Sequence, residues 1–482
     1  MNAIDNLFPL LEPFSREGTI AIAVSGGSDS LALLVLLHEW QKRISRAPQL
    51  IALTVDHGLR DAAKNETAYV STLCADLNIP HHILHWHHEN NTKPISAVAE
   101  KAREARYTLL AKQAKQEGAS YVFLAHTQND QAETVLMRAL HRSQTTDAGS
   151  KYSKMGSGFR GLAAMASSVE HQSGIKFARP LLSQDREQLR NILRTKSIKW
   201  IDDPTNKNLT LERPRIRAYL EDPMTPFSIS ILSKFAENMA KWREDAAKRS
   251  ASHILQWVKP AIHNNTIKKG VLNMGHDFFN HAPLSIQLLS LRALISTIGG
   301  TPYLPPVESS QRLLFDLTND NFTGASLGGA ILKPRDGNKH IELWREHRNI
   351  EAQTLPLKIK ECIWDGRFIC KITPPATQIF PTDEIEIRAL GHEGIEHIKE
   401  HNANFLLDQK QHQILGHPAI WHKNKLIHLP MTTTNFIQNS HSEELSQKLY
   451  FEPYIPAFER FKNPLDAPLR KALKSLVLKL YK

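Results

Sequence analysis

Over the first 150 positions, apolar residues come in short blocks separated by polar breaks, and the blocks alternate between strand-like and helix-like spacing. Thr19 to Val24 is a short run of β type. From Asp29 to Lys42, Leu33, Leu34, Leu37 and Trp40 fall near helical spacing. "LIALTVDHG" (50–58) reads as a second buried strand ending in Asp56, His57 and Gly58. Residues 62–79 read as a helix with Tyr69, Leu73 and Leu77 on one face. "HHILHWHH" (81–88) is a third, weaker strand. Residues 95–117 form an amphipathic helix through Ala102, Leu109, Leu110 and Ala114, stopped by Gly118. "YVFLAHT" (121–127) is a fourth strand, and Gln128 to His141 another helix. Strands alternating with helices predict right-handed βαβ units and a doubly wound parallel sheet. Ligands in such sheets bind beyond the carboxyl ends of the strands. Three polar clusters fall there: SGGSDS, DHGLR and AHTQNDQAET.

The pattern breaks around "EDPMTPFS" (221–228), which predicts a domain boundary. Residues 230–300 look mostly helical, and "GASLGGAILKPRDGNKHIELWRE" (324–346) looks like hairpin material. From about 351 the chain is strand-rich, with "WDGRFICKI" and "KNKLIHLP", and it finishes in a basic amphipathic helix from Leu469 to Lys482. The predicted architecture is an α/β doubly wound domain over 1–222, a mostly helical middle domain over 230–350 and a smaller α+β domain over 351–482. A length of 482 residues fits two or three domains rather than one core. "SQTTDAGSKYSKMGSG" (143–158) reads either as a mobile loop beside the site or as a tolerated surface insertion.

A formal net charge of +11 favours a polyanionic partner, nucleic acid before membrane. No apolar run approaches the ~20 residues of a membrane span. The N-terminus lacks the basic stretch of a secretory signal. Cys74, Cys362 and Cys370 form no CxxC pair and no disulfide framework. A cytoplasmic location is expected.

The glycine cluster carries the first chemical signal. Gly26 and Gly27 let the backbone approach a ligand, and the helix that follows points its N-terminus at it. Ser25, Ser28 and Ser30 add hydroxyls. The lysine of the common phosphate loop is missing, so γ-phosphoryl transfer is not the obvious task. A cradle of amides and hydroxyls suits a leaving pyrophosphate held by Mg2+. Asp130 and Glu133 are spaced i, i+3, so both carboxylates can face one ligand, Mg2+ or an ammonium group. Thr127 and Asp130 also have the spacing of a capping box. His126 stands at a strand end, ready to contact nucleotide or to pack. Arg103 and Arg106 lie one turn apart, and Arg213, Arg215 and Arg217 follow "WIDDPTN". Arginine suits phosphate through its planar fork, although a solvated helix face would also explain the first pair. Asp202 and Asp203 are candidate partners for these arginines. The histidines from 81 to 88 alternate faces on a strand, with no cysteine or carboxylate cluster beside them, so a zinc site is not expected.

Together these motifs resemble the N-type ATP pyrophosphatases, and among them the tRNA(Ile)-lysidine synthases. "AVSGGSDSLALL" resembles that family's nucleotide loop, "TVDHGLR" its second-strand motif and "AREARY" its helix motif. "AHTQNDQAETVLMR", "GFRGLAAM", and "WIDDPTN" followed by "RPRIR" resemble the segments that come next. "GHPAIWHKNKLIHLP" resembles part of its C-terminal domain. The likeness is dense over 18–220 and thinner beyond. It implies ATP as co-substrate, Mg2+, free L-lysine and an isoleucine tRNA with a CAU anticodon. The wobble cytidine would be adenylated through its 2-oxo group and then attacked by lysine. It implies catalytic roles for Asp29, Asp130, Glu133, Arg106, Arg213 and Arg217. It implies nucleotide contacts from Ser25, Gly26, Gly27, Ser28, Asp29, Ser30 and His126, and Mg2+ at Asp29 and Asp130. The basic later segments would grip tRNA. A homodimer is compatible with the sequence, which does not fix the oligomeric state. Two departures stand out: Pro214 replaces the family's usual asparagine between arginines, and the 143–158 segment is longer than usual. The rival readings are a tRNA sulfur transferase, which would use paired cysteines, a small-molecule synthetase, and an RNA-binding protein with a decayed site.

Overall fold

The structure, a computed structural model, describes residues 5–56, 62–86, 95–143, 158–202, 208–264, 266–337, 339–355, 361–372, 385–402, 410–430 and 449–481. His57 to Arg60 of DHGLR, His87 and His88, Asp203 and nearly all of the 143–158 segment lie outside them. Contacts divide the chain into two units. One is Met1–Arg243 with Phe461–Leu465; the other is Glu244–Arg460 with Asp466–Lys482.

The first unit begins with the alternation the sequence predicts. Strand Thr19–Ala23 (β1), helix Ser28–Gln41 (α1), strand Gln49–Asp56 (β2), helix Ala62–Asp76 (α2), strand His81–His85 (β3), helix Ile95–Gln116 (α3), strand Tyr121–Phe123 (β4) and helix Gln128–Ser143 (α4) follow in order. Gly158–Gly161 (α5), Ser168–His171 (β5), Lys176–Ala178 (β6), Arg186–Thr195 (α6) and Glu212–Glu221 (α7) come next, and Ile229–Trp257 (α8) begins in this unit and continues into the second. The sheet order is Phe461–Lys462, β5, β6, β4, β1, β2, β3. β1 pairs parallel with both β2 and β4, β3 extends the parallel run beyond β2, and β6 extends it beyond β4. β5 and Phe461–Lys462 add antiparallel pairs at the far side.

Side chains of β1 alternate between two cores, as the pleat dictates. Ile20 and Ile22 join Leu31 to Leu37 of α1 and Leu189, Ile192 and Leu193 of α6. Ala21 and Ala23 join Tyr107, Leu110 and Ala114 of α3. α1 is apolar nearly all round because it is buried nearly all round. β3 reads weakly because it is the sheet edge, and its side chains are half-buried or exposed. α2 stops at Asp76, short of the predicted 79, and Asn78 turns at a φ of 55°. β4 stops at Phe123, so Leu124 to Thr127 leave the sheet at its carboxyl edge. β1 has neighbours from both directions of winding, so the switch point lies between β1 and β4, where the glycine cluster and AHTQNDQAET both emerge.

In the second unit, Val258–His263 (β7) and Thr266–Gly275 (β8) form a hairpin that helical spacing in the sequence did not reveal. Pro260 interrupts the strand pattern there. It is tolerated because β7 is an edge strand with a register shift between Pro260 and Ile262. Helices Leu284–Gly299 (α9) and Val307–Asp316 (α10) follow, then strands Ala325–Leu327 (β9), Ala330–Arg335 (β10) and His340–Arg345 (β11). The five strands order as β7-β8-β11-β10-β9.

Beyond residue 350 come Gln353–Thr354 (β12), Glu361–Trp364 (β13), Phe368–Ile372 (β14), Ile385–Ala389 (β15), Pro418–His422 (β16), Lys425–His428 (β17), Leu449–Pro453 (β18) and Phe461–Lys462 (β19). They form a four-stranded sheet, β12-β15-β16-β17, and a three-stranded one, β13-β14-β18; β19 belongs to the first unit. The terminal helix Ala467–Tyr481 buries Leu469, Leu473, Leu476 and Leu480 in one cluster with α9. At Gly300, where φ is 69°, a side chain would collide with the Asp365 carbonyl. Buried Glu342 takes Lys268 at 2.5 Å, Arg335 at 2.7 Å and Gln413 at 2.7 Å. Among the described residues no helix is long and apolar enough to cross a membrane.

Candidate active site

The chain leaves β1 at Ser25 and turns at Gly26, whose φ is 79°. A side chain at Gly26 would be strained and would bring its Cβ to 3.3 Å from Ile201 Cδ1. The Ile201 N–H donates to the Gly26 carbonyl at 3.0 Å and pins the turn. Gly27 caps α1 in extended backbone. Ser30 Oγ accepts the Ser25 N–H at 3.2 Å and donates to the Gly27 carbonyl at 2.9 Å, so the loop is braced from within. The first N–H groups of α1 have no intrahelical acceptor and carry the positive end of the helix dipole. They border a cavity of about 350 Å³ whose wall includes Ser28, Asp29, Arg106, His126, Asp130 and Arg186. Such an arrangement suits an anion.

Beside the cradle, three carboxylates meet three guanidiniums. Arg186 reaches Asp29 at 3.0 Å, Asp130 at 3.3 Å and Glu133 at 3.4 Å. Arg213 bridges Asp130 and Glu133, each at 2.7 Å. Arg217 holds Glu133 at 2.8 Å. The Glu133 side chain is only 2% exposed, so a charge there requires this company. The helical spacing of Asp130 and Glu133 does put both on one side of α4. The capping box also forms: Asp130 Oδ2 accepts the Thr127 N–H at 2.8 Å and its hydroxyl at 3.0 Å. One oxygen of Asp130 thus caps the helix while the other faces the arginines.

Burial pushes the Asp29 carboxyl above its ordinary range, against the pull of Arg186. Burial works against Arg186 too, yet Asp29, Asp130 and Glu133 outweigh it and hold the guanidinium above its usual value. Burial, reinforced by Arg179, Arg106, Arg213 and Arg103, drives His126 well below the imidazole range, so its ring is neutral. Its buried Nδ1 has no hydrogen-bond partner among the described residues.

Not every expected residue arrives. Arg106 lines the cavity, but Arg103 turns to Tyr107, donating to its hydroxyl at 3.3 Å and lying over the ring at 5.2 Å. Arg215 is exposed and stands outside the ion cluster that Arg213 and Arg217 join. Asp202 borders the cavity and accepts from Trp200 at 3.2 Å; the arginines instead pair with Asp130 and Glu133. Pro214 sits in the first turn of α7, where a missing N–H costs no helix bond. His81 bonds Thr54 at 2.8 Å and Ser71 at 2.9 Å, His82 pairs with Glu117 at 3.1 Å, and His85 with Asp56 at 3.5 Å. Arg186 is the residue the sequence reading missed. A signal existed: it opens a helix capped by Asp185, and a cation at a helix N-terminus is unfavourable unless something compensates it.

The PP-loop domain family matches residues 2–223. A tRNA(Ile)-lysidine synthase of Brucella anthropi is 32% identical over 485 aligned residues, covering 98% of this chain and 97% of that protein. The chain belongs to the tRNA(Ile)-lysidine synthase family. The Brucella suis biovar 1 member is 29% identical over 97% of this chain and 96% of its own. The Bradyrhizobium sp. member is 41% identical over 50% of this chain and 64% of its own. As a tRNA(Ile)-lysidine synthase family member with a PP-loop domain, the protein is an ATP-using ligase of tRNA processing.

Proposed function

We propose that the enzyme joins free L-lysine to the wobble cytidine of a CAU-anticodon isoleucine tRNA. The product is lysidine, AMP and pyrophosphate are released, and the tRNA changes from methionine to isoleucine identity. One observation carries the reading: the N-terminus of α1 and the Asp29 and Asp130 carboxylates line one cavity, and Glu133 stands behind them in the same ion cluster through Arg186 and Arg213. The cradle suits a triphosphate, and the carboxylates suit a cationic amino acid. In the first step the cytosine 2-oxo oxygen bonds to the α-phosphorus and the α–β anhydride breaks. The amides of α1, with the hydroxyls of Ser25, Ser28 and Ser30, receive the charge on the departing pyrophosphate, aided by Arg106 and neutral His126. In the second step the lysine amine bonds to the ring carbon and AMP leaves with the former 2-oxo oxygen.

Mg2+ takes oxygen ligands, typically one or two carboxylates completed by phosphate and water. Asp29 fits that role: it stands in the cavity wall in the first turn of α1, with Arg186 on its Oδ2. Asp130 would join it only as Arg186 and Arg213 withdraw from its Oδ1, since its other oxygen caps the helix. The ion, when bound, would neutralise charge on the pyrophosphate. Lysine reaches Glu133 by the same kind of exchange. Arg213, 41% exposed at its side chain, is the guanidinium best placed to give way.

Mass spectrometry of the tRNA after incubation with ATP and lysine tests the reading. A lysine adduct on the wobble cytidine is expected, and its absence would overturn the proposal. Glu133→Gln should raise the lysine requirement about tenfold or more while the ATP requirement changes little. Equal shifts in both would assign Glu133 to the metal instead.

The two later segments, 230–350 and 351–482, are proposed to grip tRNA, mostly through phosphate. Lys471 and Lys474 lie on the exposed side of the terminal helix with Arg470 half-buried beside them, while its leucines pack inward. Reversing all three to glutamate should weaken tRNA binding about tenfold or more and flatten its salt dependence. Filter binding at two salt concentrations measures this. Unchanged affinity would leave the helix a packing role only.

A further inference from the structure

We propose that Cys362 and Cys370 are a modification site, a thiol pair that a peroxide converts into a disulfide across the β13–β14 hairpin. The two cysteines are register partners, flanked by Glu361↔Lys371 and Ile363↔Ile369. Directly opposed residues in an antiparallel pair place their Cα atoms about 4.5–5.5 Å apart, inside the roughly 4.4–6.8 Å that a disulfide spans. Opposed residues also share one face of the sheet, so the two thiols project to the same side. The backbone therefore needs no rearrangement. It is also braced on both sides: β18 pairs with β14, and Asp365 in the hairpin turn takes Arg345 at 2.7 Å and Arg367 at 2.6 Å.

The two sulfurs are not equivalent. Cys362 is half-buried at the rim, whereas Cys370 is fully buried among Trp364, Phe368 and Leu449. The S–H of Cys370 supports charge on Cys362, holding the Cys362 thiol below its ordinary value and its own well above. Cys362 is thus the attacking thiol and Cys370 the resolving one. Cys362 sulfur attacks one peroxide oxygen and the O–O bond breaks. Water leaves with the thiol proton, and Cys362 becomes a sulfenic acid. Cys370 sulfur then bonds to Cys362 sulfur, the S–O bond breaks, and a second water leaves with the Cys370 proton. Two thiols and one hydrogen peroxide give one disulfide and two waters. Cys74 is the internal control: buried alone in the first unit, its thiol is pushed up to about 11.

The test uses the full chain and hydrogen peroxide. Treated protein should lose about 2 Da, retain one alkylatable thiol after denaturation, and yield a Cys362–Cys370 cross-linked peptide that dithiothreitol cleaves. Cys370→Ser should stop at a sulfenic acid on Cys362 that dimedone traps. Two outcomes would overturn the proposal: wild-type Cys362 that over-oxidises to sulfinic acid with no cross-link, or one that joins two chains instead. Peptide mapping of the wild type decides the matter even if the variant folds poorly.

Discussion

Asp29→Asn should lower AMP formation by about 100-fold or more while the protein melts no lower than the parent at pH 7. The two halves of this result have one cause. Asp29 is mostly buried, and burial raises its carboxyl above the ordinary value despite Arg186 at 3.0 Å. A raised carboxyl contributes stability below its unfolded value and loses it as pH rises through the folded value. At neutral pH the ionised group is therefore a cost to the fold. Asparagine keeps the shape and removes that cost. It also removes the charge proposed to hold Mg2+ against the leaving pyrophosphate. AMP release with lysine and tRNA, beside thermal melts at pH 7, checks both halves. Release within a few fold of the parent would take Asp29 out of the chemistry.

Arg186→Met should have the opposite profile, with a loss of about 3–5 kcal/mol in stability as well as activity. Three carboxylates would then share two guanidiniums, with Glu133 and Asp130 both deeply buried. The excess negative charge favours proton uptake in the folded state. Stability should therefore be best retained in acid and lost as pH rises, the reverse of ordinary acid unfolding. Arg186→Lys restores the charge without the three-way fork and should fall between. Urea unfolding at pH 5 and pH 8 measures the effect. A loss below about 1 kcal/mol at both pH values would show that the cluster is not held in balance by Arg186.

How much of this was legible in the sequence depends on how far apart the interacting residues lie. The glycine turn and α1 are local: Ser25 to Ser30 brace one another, and the apolar runs on either side declare the strand and the helix. The Asp130–Glu133 spacing is local as well. Arg186 is different. Its partners are 157, 56 and 53 positions away, brought within reach only because Leu189, Ile192 and Leu193 dock α6 on α1. No periodicity carries that information. β7 and β8 were hidden for another reason: Pro260 and the Lys268–Lys269 pair spoil the strand pattern, while the sheet edge accommodates Pro260 and the buried carboxylate of Glu342 accommodates Lys268. The terminal helix was legible as amphipathic, but its packing against α9 was not.

The first unit is completed by residues from near the far end of the chain. β19 pairs with β5 through Phe461↔His171 and Lys462↔Glu170, and Phe461 packs on Tyr107 with ring centres 5.1 Å apart. During synthesis, the nucleotide-binding sheet must wait for more than two hundred further residues before its last strand leaves the ribosome. Until then β5 presents an open edge, the kind of surface that recruits stray strands. A ribosome that stalls in the second unit releases a chain whose ATP cradle is assembled but whose sheet is unsealed. Such a product is expected to expose β5 to chaperones and proteases. The threading of β19 thus makes the sealing of the first unit's sheet depend on a chain made almost to its end.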